Sequence, residues 1–211
     1  TTLSSRTPTP SNPDAFVVKL SASGTHVWST FFGGSAADAV ASLAKAPKSG
    51  TLVLGGTTAS SDFVAATNRL NAYAGGTDGF VLALTDTGTA FQTNWCRFFG
   101  GSTADSVSAL VVLTNGPIAV GGTTASGAWL AETGSSTFGG AQDGFVSLLA
   151  ADGTVAWSSY VGGANDETLR ALAAPANRLC AGGETYSPNW VSGGLWTLWN
   201  KDLDFDEVYD Y

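Results

Sequence analysis

Aspartate side chains recur at regular intervals along this chain of 211 residues. They form two sets of three: Asp14, Asp78 and Asp143, and Asp38, Asp105 and Asp166. Paired carboxylates can work as a general acid and base, and repeated ones can ligate calcium. A catalytic site is normally single, however, whereas each of these residues returns once per repeat. Repetition therefore favours aspartates that cap turns through hydrogen bonds to the backbone.

Other catalytic signals are weak. His26 is the only histidine, and no motif nominates a partner for a metal site or a nucleophilic triad. The Gly-Gly pairs are followed by strand-like sequence, so they do not match nucleotide-binding loops. We therefore predict no catalytic residue, no metal ligand and no cofactor, and a protein that is not an enzyme. Calcium is the one cofactor that the carboxylates bring into consideration, and a lyase or hydrolase using them is the least favoured function.

The aspartates belong to a unit that is repeated three times. An Asp-Ala/Gly-Phe-Val segment begins at residues 14, 78 and 143, so the starts lie 64 and 65 residues apart. Each start is followed by a Gly-containing turn, a tryptophan, an aromatic or Val residue before Gly-Gly, and a closing Gly-Gly-Thr/Glu-Thr. The tryptophans are Trp28, Trp95 and Trp157. Self-similarity at a fixed period indicates a repeat architecture whose units bury apolar surface against each other.

Four strands are predicted in each unit. In the second unit they are Gly79–Thr85, Thr93–Phe99, Ser106–Leu113 and Ile118–Thr124, short apolar runs separated by Gly- and Asn-containing turns. The polar, Gly-rich stretch Ala125–Gln142 reads as a long connection. The predicted fold class is all-β, with tandem four-stranded antiparallel blades.

The order of these motifs resembles the bacterial β-propeller repeat known as the SBBP repeat. The resemblance extends over about residues 14–190 and recurs in three copies. It implies a propeller-like stack of four-stranded sheets in a secreted or surface protein of bacteria, and it implies no common activity. Three full repeats with fragments at both termini are fewer than the roughly 4–8 blades of a closed propeller.

Composition excludes several classes of protein. The chain is 44% apolar with 7 Trp and 11 Phe, which predicts an ordered core rather than disorder. The net charge of −8 argues against nucleic acid as a partner. No apolar run reaches the length of a membrane-spanning helix, so no transmembrane segment is predicted. Low charge with many Ser, Thr and Gly residues favours an extracellular or cell-surface location.

The two cysteines occupy non-equivalent positions of different units. Cys96 follows a tryptophan, and Cys180 precedes a Gly-Gly pair by two residues. The favoured interpretation is two buried thiols that act as small apolar side chains. A disulfide between them is the alternative that the sequence leaves open.

The sequence divides into three parts: an extended Ser/Thr/Pro-rich segment at 1–13, the repeat domain at 14–194, and a strand with an acidic tail at 195–211. Thr1–Ser5 matches the end of a fourth strand, and Gly194–Trp199 falls where the first strand of a further unit would begin. That last strand is apolar on both faces, so it needs a partner. It could close the chain's own ring or add to the next molecule, and three blades favour the second.

The acidic tail alternates Asp202, Asp204 and Asp206 with Leu203 and Phe205. Three interpretations compete: an amphipathic strand that docks on a neighbour, a solvated tail, and a calcium site. Glu207 stands where an EF-hand loop needs glycine, which excludes that loop. The predicted subunit interface comprises Leu195, Trp196, Leu198, Trp199, Leu203 and Phe205.

The favoured function is that of a non-enzymatic extracellular structural protein. Its subunits would join head to tail, as a filament or a ring, when a terminal strand of one completes a partial blade of another. The partner would then be the protein itself, as a homo-oligomer or polymer. The alternative is a secreted or cell-surface adhesion module that binds a surface polysaccharide by stacking sugars on Trp129 and Trp190.

Overall fold

The protein folds into antiparallel β-structure, as the sequence predicts. The computed structural model describes residues 12–47, 50–63, 69–130 and 137–188. These ranges contain twelve strands and one 3-10 turn, Pro175–Asn177, and no α-helix. The strands are β1 Ala15–Leu20, β2 His26–Phe32, β3 Asp38–Lys45, β4 Thr51–Thr58, β5 Asp78–Asp86, β6 Phe91–Phe99, β7 Asp105–Val112, β8 Ile118–Thr124, β9 Asp143–Leu149, β10 Val155–Val161, β11 Glu167–Ala173 and β12 Cys180–Thr185. A helix able to cross a membrane is not found in these ranges.

The strands form four sheets in chain order. Sheet 1 is β1–β2, sheet 2 is β3–β6, sheet 3 is β7–β10 and sheet 4 is β11–β12. Every pairing within them joins consecutive strands in antiparallel fashion. Across the described ranges, two sheets are thus complete and two consist of half the strands, and the four do not close into a ring.

The sheets are offset by half a unit from the sequence repeat, which corrects the predicted grouping of strands. The four strands of the second unit, β5 to β8, are divided equally between sheets 2 and 3. The long connection after β8 lies within sheet 3, because β8 pairs with β9. The short Gly100-Gly101 link is where the chain leaves one sheet for the next. Gly100 has a φ of 151°, which an L side chain rarely adopts.

The sheets stack face to face, and each gap holds an apolar cluster. Val17 and Trp28 of sheet 1 pack on Phe80 and Leu82 of sheet 2. The opposite face of sheet 2 meets sheet 3 in a cluster that contains Val81, Val107 and Phe145 among others. Sheet 3 meets sheet 4 through Leu148 and Leu172. The central strands β5 and β9 are buried on both faces, which explains their continuous apolar sequence.

A β-bulge explains the repeated Gly-Gly pair. The register of β7 against β8 shifts between Val107 and Ala109, which face Gly122 and Gly121. The bulge pushes the Ser106 carbonyl oxygen into the space that a side chain at Gly122 would fill. Equivalent bulges stand opposite Gly56 and Gly183. The first glycine of each pair serves another purpose, since Gly121 lets Leu169 of the next sheet approach the strand.

Candidate functional site

Asp38, at the start of β3, binds three hydrogen-bond donors. Its carboxylate accepts from the Thr58 hydroxyl, from Ser60 Oγ at 2.9 Å and from the Gly34 backbone N–H at 2.8 Å. Burial raises the pKa of this carboxyl, and the hydrogen bonds oppose that rise. The side chain therefore ties the turn before β3 to the end of β4, as the capping prediction requires.

The same cluster recurs in each unit, with one correction. Asp105 accepts from the Thr124 hydroxyl, from Ser126 Oγ at 2.9 Å and from the Gly101 N–H at 2.9 Å. In the third unit the equivalent residue is Glu167 rather than the predicted Asp166. Glu167 accepts from Thr185 Oγ1 at 2.6 Å and from the Gly163 N–H at 2.8 Å.

Asp166 has a different role, because it lies one residue before the strand. Its Oδ1 accepts a hydrogen bond from the Ala141 N–H at 2.7 Å and so ties two loops together. The signal that identifies Glu167 is a constant spacing: each strand-opening acid follows the second glycine of its Gly-Gly turn by four residues. Burial raises the pKa of Glu167, but its hydrogen bonds outweigh burial, so that the pKa is lowered.

Replacing Thr124 with valine tests the capping role. The Thr124 hydroxyl donates to Asp105 and accepts from the Ser126 N–H and from Trp129 Nε1 at 2.8 Å. We expect Thr124→Val to lower the free energy of unfolding by about 2–4 kcal/mol, because these buried groups lose their partner. Thr185→Val removes the equivalent hydroxyl in sheet 4 and should cost less, since Thr185 itself is exposed on β12 and its hydrogen bond to Glu167 is only partly buried. Urea denaturation measures both losses. Equal losses for Thr124→Val and Thr185→Val would contradict the expectation that the cost depends on burial of the hydroxyl.

The unit-opening aspartates lie next to these clusters. A Cβ added at Gly33 would stand 2.6 Å from Asp38 Oδ2 and 2.8 Å from Asp14 Oδ1. At Gly162 it would stand 2.8 Å from Asp143 Oδ1 and 2.5 Å from Glu167 Oε2. The first glycine of the turn therefore makes room for two carboxyl groups at Gly33 and Gly162, and for the Asp105 side chain at Gly100.

Two of these acids hold protons at unusually high pH. Burial raises the pKa of Asp78 to about 6, against the lowering effect of the Ala74 N–H, and the charge of Asp105 adds to the rise. Burial likewise raises the pKa of Asp143 to about 6, against the Gly139 N–H and together with Glu167. The Oδ1 atoms of Asp78 and Asp143 are buried and receive no hydrogen bond from the described residues. Burial therefore favours the protonated form of both acids over the charged form.

The strand-opening and unit-opening acids are buried inside the protein. Asp38, Asp78, Asp105, Asp143 and Glu167 are all between 0% and 3% exposed, so a solute cannot reach them. Within the described ranges, no three His, Cys, Asp or Glu side chains gather as a metal site. His26 lies on the exposed end of β2 with its Nε2 3.1 Å from Ser29 Oγ.

The aromatic side chain predicted to stack on sugars makes contacts inside the protein. Trp129 is partly buried and meets Phe99 and Phe145 edge to face, at centroid distances of 6.1 and 5.2 Å. Stacking of a ligand on Trp129 stays a prediction. Trp190 and all six predicted interface residues, Leu195, Trp196, Leu198, Trp199, Leu203 and Phe205, lie outside the described residues.

The two cysteines differ from each other. Both are free thiols, but only Cys96 is buried. Burial raises the pKa of the Cys96 thiol to about 12, so this side chain is chemically inert. Cys180 is exposed, contrary to the predicted burial, because it lies on β12, in a sheet for which the described residues supply only two strands.

Sheet 1 exposes large apolar side chains that the complete sheets bury. Phe16, Val18, Leu20 and Phe31 point outward from sheet 1 and form what we call the leading face. Phe16 is 64% exposed, whereas its counterpart Phe80 is 0% exposed. In the complete sheets, side chains at all four of these positions are buried.

Sheet 4 and the side of sheet 3 next to it are also less buried than their counterparts in the complete sheets. All six residues of β12 are exposed, whereas most residues of the equivalent β4 and β8 are buried. Trp157 of sheet 3 is partly exposed, although its counterparts Trp28 and Trp95 are buried. The second half of a four-stranded sheet, placed beside β12, would cover both. We call β12 and the exposed side of β10 the trailing surface.

Neither a protein-family model nor a curated protein matches this sequence.

Proposed function

We propose that this protein is a non-enzymatic structural protein of the cell exterior that polymerises head to tail. The observation that supports this most directly is the complementarity of its two half sheets. Sheet 1 contains the equivalents of β5 and β6, and sheet 4 contains the equivalents of β3 and β4. Together they supply the strands of one complete sheet, each strand once.

The energetics favour association over exposure. A buried aromatic side chain removes about 150–250 Å² from water, which is worth roughly 4–6 kcal/mol at ~25 cal/mol per Å². The leading face exposes two phenylalanines that the complete sheets bury. Among the described residues nothing pairs with the outer edge of β1 beside them, and such an edge offers backbone groups to a further strand. Such a contact is heterologous, so it continues as a filament or closes as a ring of subunits.

The proposal includes a propeller-like architecture, which the resemblance to the SBBP repeat implies. Stacked four-stranded sheets with apolar gaps support it, and the completed joint would add one more such sheet per subunit. The segment 195–205 would take part in the joint, which stays a prediction because it lies outside the described residues. The extracellular location rests on composition.

Electron microscopy and light scattering test the proposal on the purified full-length chain. We expect filaments or rings, with a mass that rises with protein concentration. Phe16→Ser should abolish assembly and leave the melting temperature of the subunit nearly unchanged, because Phe16 is exposed. Leu70→Ser is the matched control, since Leu70 is 43% exposed but lies off the leading face, and it should assemble normally. Dispersed monomers of the unmodified chain at millimolar concentration would refute the proposal.

A further inference from the structure

The complete sheets contain a template for the joint. β4 pairs with β5 so that Thr58 faces Asp78, Gly55 faces Val81 and Val53 faces Ala83. β8 pairs with β9 in the equivalent register, with Thr124 opposite Asp143 and Gly121 opposite Val146. Two independent copies of the same pairing therefore fix which residues stand opposite each other.

Sheets 4 and 1 carry the same two halves. β12 ends in Thr185 as β4 ends in Thr58, and Asp14 precedes β1 at the position of Asp78. Resting on the proposed polymerisation, we propose that β12 of one copy pairs antiparallel with β1 of a second copy in this register. Gly182 then faces Val17 and Cys180 faces Lys19. The two half sheets become one four-stranded sheet.

The exposed side chains agree with this register. In the complete sheets, the face of β5 that bears Phe80, Leu82 and Leu84 packs on the sheet before it. The leading face of the second copy would pack in the same way on the trailing surface of the first, beside Trp157. Trp95 shows the expected polar contact, since its indole N–H donates to the Ala151 carbonyl in the next sheet's hairpin at 3.1 Å. For Trp157 the corresponding acceptor is the turn between β1 and β2 of the incoming copy.

A glycine and a leucine provide a second, independent match. An added Cβ at Gly55 would stand 2.6 Å from Val107 and 2.9 Å from Leu110, so the next sheet covers this glycine. At Gly182 nothing lies within 4 Å. Leu43, the counterpart of Leu110, is 50% exposed, whereas Leu110 is 7% exposed. Uncovered Gly182 and uncovered Leu43 are the two sides of one contact that forms between copies.

Cross-linking through the native Cys180 thiol tests the register. Directly opposed residues of antiparallel strands have Cα atoms about 4.5–5.5 Å apart, within the range of a disulfide. We expect the full-length Lys19→Cys variant, oxidised under native conditions, to give a ladder of covalent multimers on non-reducing gels. Lys19 Nζ forms a partly exposed ion pair with Asp86 at 2.7 Å and donates a hydrogen bond to the Gly88 carbonyl oxygen at 3.3 Å. The loss of these surface contacts is tolerable, and a thermal melt checks the fold.

Two controls accompany this variant. Leu20→Cys moves the thiol to the opposite face of β1, so it should give at least about tenfold less cross-linked product. Lys19→Cys combined with Cys180→Ser should give none, because the remaining native thiol, Cys96, is buried. Deletion of Gly194–Tyr211 in the Lys19→Cys variant asks whether that segment occupies the edge of β12. We expect the ladder to persist.

The outcomes separate this proposal from the proposed function. Filaments of the unmodified chain without a ladder from Lys19→Cys would overturn the register and leave polymerisation intact. A cross-linked monomer, with faster mobility and no ladder, would show that β12 and β1 meet within one chain and would overturn the joint between copies. A ladder that appears only after deletion of Gly194–Tyr211 would assign the edge of β12 in the full-length chain to that segment and would overturn its pairing with β1. Absence of any assembly in the unmodified chain would refute the proposed function itself.

Discussion

Gly122→Ala is expected to lower the free energy of unfolding by more than about 4 kcal/mol, a large part of the roughly 5–15 kcal/mol that stabilises an ordinary protein. The added Cβ would overlap the Ser106 carbonyl oxygen and would stand 2.7 Å from Phe145 Cε1. The obstruction is backbone held by a β-bulge inside a buried sheet, so no side-chain rotation relieves it. Soluble yield and urea denaturation measure the effect.

Gly182→Ala is the matched control, because it adds the same methyl group in the same motif. Nothing lies within 4 Å of its Cβ, so the stability of the subunit should change by less than about 1 kcal/mol, with a slight gain from reduced chain entropy. The measurement uses dilute, unassembled protein. A Gly122→Ala variant as stable as Gly182→Ala would contradict this expectation, because it would show that the backbone of the bulge shifts to accommodate the methyl group.

The second large effect is a loss of stability as pH rises from 5 to 7.5. Asp78 and Asp143 have pKa values of about 6 in the folded protein, above the 3.8 of an unperturbed aspartate. The folded state therefore binds protons more tightly than the unfolded state. The contribution of this binding to the free energy of unfolding is complete below pH 3.8 and disappears as pH rises through 6. Between pH 5 and 7.5 we expect a loss of about 1.4 kcal/mol per acid, or ~3 kcal/mol together.

The double variant Asp78→Asn, Asp143→Asn should remove this dependence and unfold at higher urea concentration at pH 7.5. Asparagine resembles the protonated acid, and its oxygen can still accept from the N–H groups of Ala74 and Gly139. Asp152→Asn is the control, since Asp152 is exposed and its backbone hydrogen bond with Thr154 lowers its pKa. Stability of the unmodified chain that stays level or increases from pH 5 to 7.5 would contradict the interpretation that burial raises the pKa of Asp78 and Asp143.

Individual strands could be predicted from sequence because each is a short apolar run between turn residues. The four predicted strands of the second unit agree with β5 to β8 within about two residues at their ends, the usual uncertainty of such boundaries. Their alternation of side chains also identifies the residues that fill the gaps between sheets. Local signals of this kind depend only on neighbours in the chain.

The grouping of strands into sheets could not be predicted in the same way. A repeat has no intrinsic starting point, so four consecutive strands can be divided at any loop. The prediction divided them at the long connection after Thr124, because long loops often separate structural units. The structure divides them at Gly100-Gly101, where a two-glycine turn held by Asp105 redirects the chain.

The carboxylate clusters were partly predictable. Repetition of Asp38 and Asp105 identified them as caps, and the structure shows their donors. The third member was misassigned because Asp166 matches by residue type, whereas Glu167 matches by position. A longer side chain reaches the same donors, Thr185 and Gly163, from the same backbone site. Spacing was the better guide because backbone geometry defines the cluster.

The half-unit offset between sequence repeat and sheet has a consequence for how such a chain can vary. Each repeat contributes the second half of one sheet and the first half of the next. Removal of residues 78–142 would bring β4 next to β9. These two strands can pair, because β4 is equivalent to β8, the present partner of β9. Sheets 1 and 4 would be unchanged. Gain or loss of one repeat therefore alters the length of the subunit by one complete sheet and preserves its ends. Subunits of different length could then join one another in a single polymer.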